Sequence, residues 1–359
     1  MVVAPLQPPP PVAPDFALWP AERFIRRYYL GLVLVVLLLL GGYELIPLGF
    51  DLRRWDWLFV SGIVVLLVAL RMALNLPDRV QQTLSRLANR GILIADPAML
   101  TDFTDKLHRS VRRSSIYSSV GIAVCVLASW IFAYGTMIAS RPAAVLAEVL
   151  GAALAGFFIG RAIGYGRIGR KLNQSSLTVK PEPDNFDGAA GLRPIGDLYF
   201  FQAAILAIPA GFLAVWWLII PLVGRYSVWR TPYAAFLALV LVLEVLAFVV
   251  PLLAFHRLMV EEKAELMVQA DRHSQEAAEV RRHLLSAPPD QRPALENRLT
   301  WLGERYVVIE GMSTWPVSAP IRRRFTVNNA LLLLPIAMQA AGVSPKWQEL
   351  LESLHKAMS

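Results

Sequence analysis

"LVLVLEVLAFVV", residues 239–250, is a run of aliphatic and aromatic side chains interrupted once, by Glu244. A helix that is apolar on every side must be surrounded by other protein or by lipid. Extended to residues 232–256, the run reaches the roughly 20 residues that cross a hydrocarbon core of about 30 Å. Five further runs have the same character, at approximately 28–49, 57–76, 117–139, 142–165 and 200–223. None alternates as a barrel strand would, so the segments are predicted as helices whose backbone groups are satisfied internally.

Composition points the same way. Of 359 residues, 56% are hydrophobic and only 17% charged, with a mean hydropathy of +0.48. A soluble core of this length cannot bury so much apolar surface, and lipid must cover the surplus. The fold class expected is all-α: a polytopic membrane helical bundle of six transmembrane helices, carrying a small helical cytoplasmic domain.

The net charge of +8 is unevenly placed. Arg23, Arg26 and Arg27 precede the first run. Seven lysines and arginines from Arg79 to Arg113 separate the second from the third, and Arg167, Arg170, Lys171, Lys180 and Arg193 separate the fourth from the fifth. The intervening short turns hold only Arg53, Arg54, Arg141, Arg225 and Arg230. The positive-inside rule then puts both termini in the cytoplasm of a bacterial-type inner (plasma) membrane. The basic residues read as topogenic groups and as partners of anionic lipid headgroups. No nucleic-acid recognition motif accompanies them, so nucleic acid is not an expected partner.

This divides the chain into three parts. Residues 1–23, with "MVVAPLQPPPPVAP" at their start, are expected to be a disordered proline-rich tail, extended and solvated, and not a cleavable signal peptide. Residues 24–257 form the six-helix domain, with cytoplasmic loops 77–116 and 166–199. Residues 258–359 form a helical cytoplasmic region. Within the first loop, Val80, Leu84 and Leu87 recur at one-turn spacing ahead of Gly91. Leu100, Phe103, Leu107 and Val111 make a second apolar stripe opposite Lys106, Arg109, Arg112 and Arg113. That second helix either lies on anionic headgroups and runs into the third span, or packs on its neighbour with its basic face solvated.

The sixth apolar helix is expected to continue to about Ser286, where "APPDQRP" breaks it. A second helix from about Ala294 would return as a hairpin, and a homo-oligomeric stalk is the alternative. "FTVNNALLLLPIAMQAAG", residues 325–342, follows a triple arginine, is short for a span and is polar at Asn328 and Asn329. It reads as a buried or interfacial cytoplasmic helix, with a seventh span as the other possibility. A final amphipathic helix is expected from Ser344.

Charge inside lipid is expensive, and it marks the first candidate site. Glu244 lies mid-span, out of reach of water, and would line a pathway, carry a proton or cation, or pair with a donor such as Trp130, Tyr134 or Trp216. Arg71 and Arg161, near cytoplasmic ends, can snorkel; Glu44 and Glu148 lie toward the external ends, and interfacial anchoring or pairing is expected of all four. Gly156, Gly160 and Gly164 form a small-residue ridge for close helix packing, within the bundle or between copies of the chain. Pro209 and Pro221 are expected to kink the fifth span and open backbone carbonyls to a cavity.

Asp184, Asp187 and Asp197 stand among glycines in "PEPDNFDGAAGLRPIGD", residues 181–197. "DGAAGLR" resembles the start of the aspartate motif of CDP-alcohol phosphatidyltransferases over these few residues. That family's further metal-binding aspartates have no counterpart in "LYFFQAAILAIPAG", which follows Asp197. The stretch reads as a structured turn, or else as a ligand or regulatory loop. No calcium-loop pattern is present, the five histidines form no metal-protease motif, and "GYGRIGRK" lacks the spacing of a phosphate loop. No metal, cofactor or catalytic residue is expected, and the lone Cys125 excludes an internal disulfide. The functions these features allow are, in order, passage of an ion or small solute, a membrane-anchored sensor or scaffold engaging a cytoplasmic protein, and a membrane enzyme using the 184–197 loop.

Overall fold

The computed structural model describes residues 20–48, 55–134, 142–175 and 177–340. The chain is almost wholly helical. In order, α1 (Pro20–Arg27) and α2 (Tyr29–Leu48) lead into α3 (Trp57–Asn89), a two-residue β1 (Leu93–Ile94) and α4 (Pro97–Tyr134). Then follow α5 (Pro142–Gly166), α6 (Ile168–Asn173), β2 (Thr178–Val179) and α7 (Arg193–Ile219). The last elements are α8 (Arg230–Ser286), α9 (Arg292–Glu310) and α10 (Ala319–Ala340). The proline-rich tail and the helix expected from Ser344 lie outside the described residues.

Five helices, α3, α4, α5, α7 and α8, are long and apolar enough to cross a membrane. The first expected span is the helix α2, whose described apolar stretch, Tyr29–Leu39, is shorter. Large apolar side chains such as Val120, Val124, Leu150, Leu239, Leu246 and Val250 face outward. Exposure of that kind costs roughly 1.5–3 kcal/mol per side chain in water, and lipid removes the cost.

The expected cytoplasmic loop 77–116 is not a separate layer. Its two helices are continuations of α3 and α4, so one core runs without interruption from the apolar spans to the basic end. Val80, Leu84 and Leu87 of α3 meet Phe103, Leu107 and Val111 of α4 there, with Ile168, Leu172, Leu192 and Ile195. Lys106, Arg109, Arg112 and Arg113 stay exposed on the opposite face of α4. Gly91, at φ +73°, turns the chain out of α3. β1 then pairs antiparallel with β2, Leu93 opposite Val179 and Ile94 opposite Thr178, which ties the two basic loops together.

α4 and α5 form the closest helix pair. A Cβ on Gly160 would lie 2.5 Å from the Ser114 carbonyl oxygen and from the Ser115 Cα, and one on Gly156 would lie 2.4 Å from the Ser118 oxygen. A Cβ on Gly164 would lie 2.9 Å from the Val111 Cα. The ridge is therefore occupied within the chain, by the serine face of α4.

One proline expectation changes. Pro221 does not kink a membrane helix, because α7 ends at Ile219 and Pro221 opens a short 3-10 turn, Ile220–Leu222. The prolines inside helices are instead Pro77, Pro209, Pro251 and Pro335. α10, expected as a buried or interfacial helix or as a seventh span, lies beside α7 and α8: Phe325 stacks on Phe248 at 4.1 Å, and Leu332 and Ile336 pack on the cluster of Leu213, Leu237 and Leu241. Apolar side chains on both α7 and α8 outcompete the three arginines that pull its first turns toward water.

Replacing Gly160 with leucine forces two backbones apart and is expected to lower stability by at least about 1–3 kcal/mol. Gly121→Leu, on the same helix pair but with nothing within 4 Å of its Cβ position, is expected to leave stability unchanged. Thermal melts of the two variants in one detergent check both.

Candidate functional site

A proline inside a helix has no N–H to give the carbonyl four residues earlier. In lipid that orphaned oxygen has no water to turn to, and each unsatisfied group costs several kcal/mol. Pro77 frees the carbonyl of Ala73, and Arg161 of α5 donates to it from Nη1. Pro251 frees the carbonyl of Ala247, and Gln202 of α7 donates to it at 3.2 Å. The same Gln202 amide reaches Ala162 of α5, also at 3.2 Å. Both of these breaks are mended by a polar side chain from another helix.

These side chains belong to a buried polar layer. Arg161, 4% exposed, also pairs through Nη2 with Glu22 of α1 and lies 4.5 Å from the Phe157 ring centroid. It does not snorkel, because Glu22 and a proline-freed carbonyl hold it in place. Arg26 strengthens the hold of α1 through an ion pair with Asp78 at 2.5 Å, a bond that raises the Arg26 pKa above its ordinary value. Tyr165 sits within hydrogen-bonding distance of His108, 3.1 Å. Tyr199 donates at 3.2 Å to the Tyr165 carbonyl near the end of α5, where helix carbonyls lack internal partners.

Glu244 extends the layer toward the middle of the spans. It is 1% exposed, and its Oε1 accepts from Asn328 at 3.3 Å and Asn329 at 3.4 Å, both on α10. Two of the three donors expected for it are engaged elsewhere, Trp130 with Glu148 at 2.6 Å and Trp216 with Ser61 at 3.0 Å; the side chain of the third, Tyr134, lies outside the described residues. Glu244 Oε2 and Gln202 Oε1 are buried with no donor among the described residues. A protonated Glu244 would present one hydrogen to such an acceptor; an ionised one would need a cation or water. Glu148 and Arg71 belong to neither cluster: Glu148 joins α4 to α5, and Arg71 lies over the Tyr29 ring at 5.2 Å.

Beside this layer a cleft of about 1040 Å³ opens between α3, α7 and α10. Met72, Phe200, Ala204, Ala207 and Ile208 make much of its wall, Arg323 and Arg324 line it, and Asn328 contributes to it from α10. Asn328 thus touches the open cleft on one side and Glu244 on the other. Of these groups, only Glu244 stands out in the sequence. Asn328 and Asn329 are legible as polar residues in an apolar run, but not as its partners.

The aspartates of the 181–197 stretch are dispersed among structural tasks. Asp187 Oδ1 accepts from the N–H groups of Ala189 at 2.8 Å and Gly191 at 3.0 Å, while Oδ2 takes Arg90 at 3.2 Å and the N–H of Arg193 at 3.3 Å. Asp184 pairs with Arg305 of α9, and Asp197 with Arg193 at 3.9 Å. Gly188, Ala190 and Gly191 adopt positive φ around this bond network. No group of three His, Cys, Asp or Glu side chains is positioned to hold a metal ion among the described residues. Compared with protein-family models, with curated proteins and with solved structures, the chain has no match.

The carbonyl account is open to a double-mutant cycle. Gln202→Leu is expected to cost about 1–3 kcal/mol by stranding the Ala247 oxygen. In a Pro251→Ala background the restored N–H fills that oxygen and the cost falls. Equal costs in both backgrounds, measured by reversible unfolding in mixed micelles, would refute the pairing.

Proposed function

We propose that this protein moves an ion or small solute across a bacterial-type inner (plasma) membrane, with Glu244 as the group that titrates or exchanges cations during passage. The observation that carries this reading is the double engagement of Asn328, which lines the open cleft and donates to the buried carboxylate. A charge held mid-bundle by two amides alone is poorly compensated. That makes it a group whose protonation, or whose counter-ion, changes with the state of the helices around it. The basic ends of the helices face the cytoplasm in this reading. α10 is then a membrane-penetrating segment, not part of a detached cytoplasmic domain, and its apolar part is shorter than a ~30 Å core requires. Rotation of α10 against α7 and α8 would open or close the route between Glu244 and the cleft.

The test is ion and proton flux from liposomes holding the purified full chain, wild type beside Glu244→Gln. The amide keeps the size of the side chain and removes its charge. Flux is expected to fall by an order of magnitude or more, as loss of an essential proton-transfer group commonly gives, with the thermal melt retained. Equal flux in the two proteins would sink the role of Glu244.

A second reading, a sensor or scaffold, draws on the α8–α9 hairpin. Beyond the spans, Val268, Leu285, Trp301 and Val307 are exposed on it, and only Leu302 and Ile309 of α9 are buried. Such a surface suits a protein partner. Removing residues 288–359 would also remove α10 from the bundle, so the cleaner variant is Leu285→Glu with Val307→Glu. A scaffold loses partner capture in a crosslinking assay in membranes while flux is unchanged; a transporter without such a partner shows no change in crosslinked products.

A further inference from the structure

The cleft between α3, α7 and α10 has two chemistries. Its wall is apolar, with Met72 from α3, Phe200, Ala204 and Ile208 from α7, and Leu331 from α10; the small alanine makes the groove. Arg323 and Arg324 line the same cleft about one turn into α10. Both are exposed, with Arg322 beside them, and among the described residues no carboxylate pairs with any of the three. Val327 and Leu331, further along α10, are 49% and 60% exposed, so the groove continues onto a surface that only an apolar medium suits.

We propose that this cleft binds an anionic phospholipid drawn from the bilayer, its phosphate on Arg323 and Arg324 and one acyl chain along Phe200, Ala204, Ile208 and Leu331. Charge selects the headgroup. Two planar guanidiniums without a carboxylate partner favour a phosphate and offer nothing to balance a choline. The wall selects an amphiphile, because a free hydrophilic anion would leave most of this apolar surface uncovered. The volume, about 1040 Å³, lies at the upper end of the roughly 300–1,000 Å³ typical of small-molecule sites. It accommodates part of a lipid whose remainder stays in the bilayer. The assignment shares its cleft with the transport reading, deepening it by naming a ligand, yet it requires neither flux nor Glu244.

The experiment uses the full chain in nanodiscs of phosphatidylcholine with a minor fraction of phosphatidylglycerol. After mild detergent extraction, retained lipid is counted by native mass spectrometry. Phosphatidylglycerol is expected to be retained well above its bulk share. Arg323→Gln with Arg324→Gln is expected to reduce that enrichment roughly tenfold, since each cation near the surface contributes to anionic-lipid binding. Ala204→Phe, which fills the groove and keeps both arginines, is expected to reduce it as well, with melts confirming that each variant folds.

Retention of the two lipids in their bulk ratio would overturn the proposal, as would enrichment unaffected by either variant. Displacement of the lipid by millimolar inorganic phosphate would make the site one for free anions. Enrichment seen only after residues 341–359 are removed would give the cleft to the chain's own C-terminal segment. Glu244→Gln separates the two readings: unchanged lipid retention with no flux in any protein leaves the lipid site standing and the transport reading refuted.

Discussion

A backbone carbonyl released by a proline inside a buried helix is costly without a donor, and at two of the four such prolines among the described residues this bundle supplies one from another helix. Pro77 and Pro251 each free one oxygen in the interior, and the donors come from other helices, Arg161 on α5 and Gln202 on α7. The consequence is a set of crosslinks at one level of the bundle: α3 to α5, α5 to α7 and α7 to α8. Since Arg161 and Gln202 are buried, each link is worth more than its exposed equivalent, and leaving it unmade strands a buried oxygen.

The links set the positions of the remaining polar groups. Arg161, drawn inward to Ala73, needs an anion, and Glu22 supplies it, which seats α1 on the bundle. Close approach of α5 to α4 depends on glycines with no room for a Cβ, and that approach sets His108 beside Tyr165. Glu244 stands apart from these structural bonds. Its contacts are two long amide hydrogen bonds from α10, the element that also walls the open cleft. The transport and lipid proposals rest on the open groove beside α10 and on this weakly held carboxylate.

Much of the architecture is legible in the sequence because hydrophobicity and length are one-dimensional properties. The apolar runs near 57, 117, 142, 200 and 232 predict helices that the structure contains, and Gly91 marks the end of α3 as its position suggests. Periodicity also picks out the buried faces of 80–87 and 100–111. For 80–87 it does not reveal that the segment continues a span, because a polar change at the membrane boundary looks the same whether the helix stops or runs on. For α10, Asn328 and Asn329 lower the apparent apolarity of a segment that nonetheless lies among α7 and α8. Their polarity is offset by Glu244, 84 and 85 residues away in the chain.

What the sequence by itself determined is the class of the protein and the oddity of Glu244: too much apolar surface for water, and one acid where no acid is cheap. Only the tertiary structure decided which polar groups meet. Arg161 near a span end looks free to reach water until Ala73 and Glu22 stand beside it, and Asp187 looks like a ligand until four donors from its own chain occupy it. Helix and strand signals recur within a few residues, and so they can be read in order along the chain. A donor for a proline-freed carbonyl, by contrast, lies on another helix scores of residues away, and only packing brings it there.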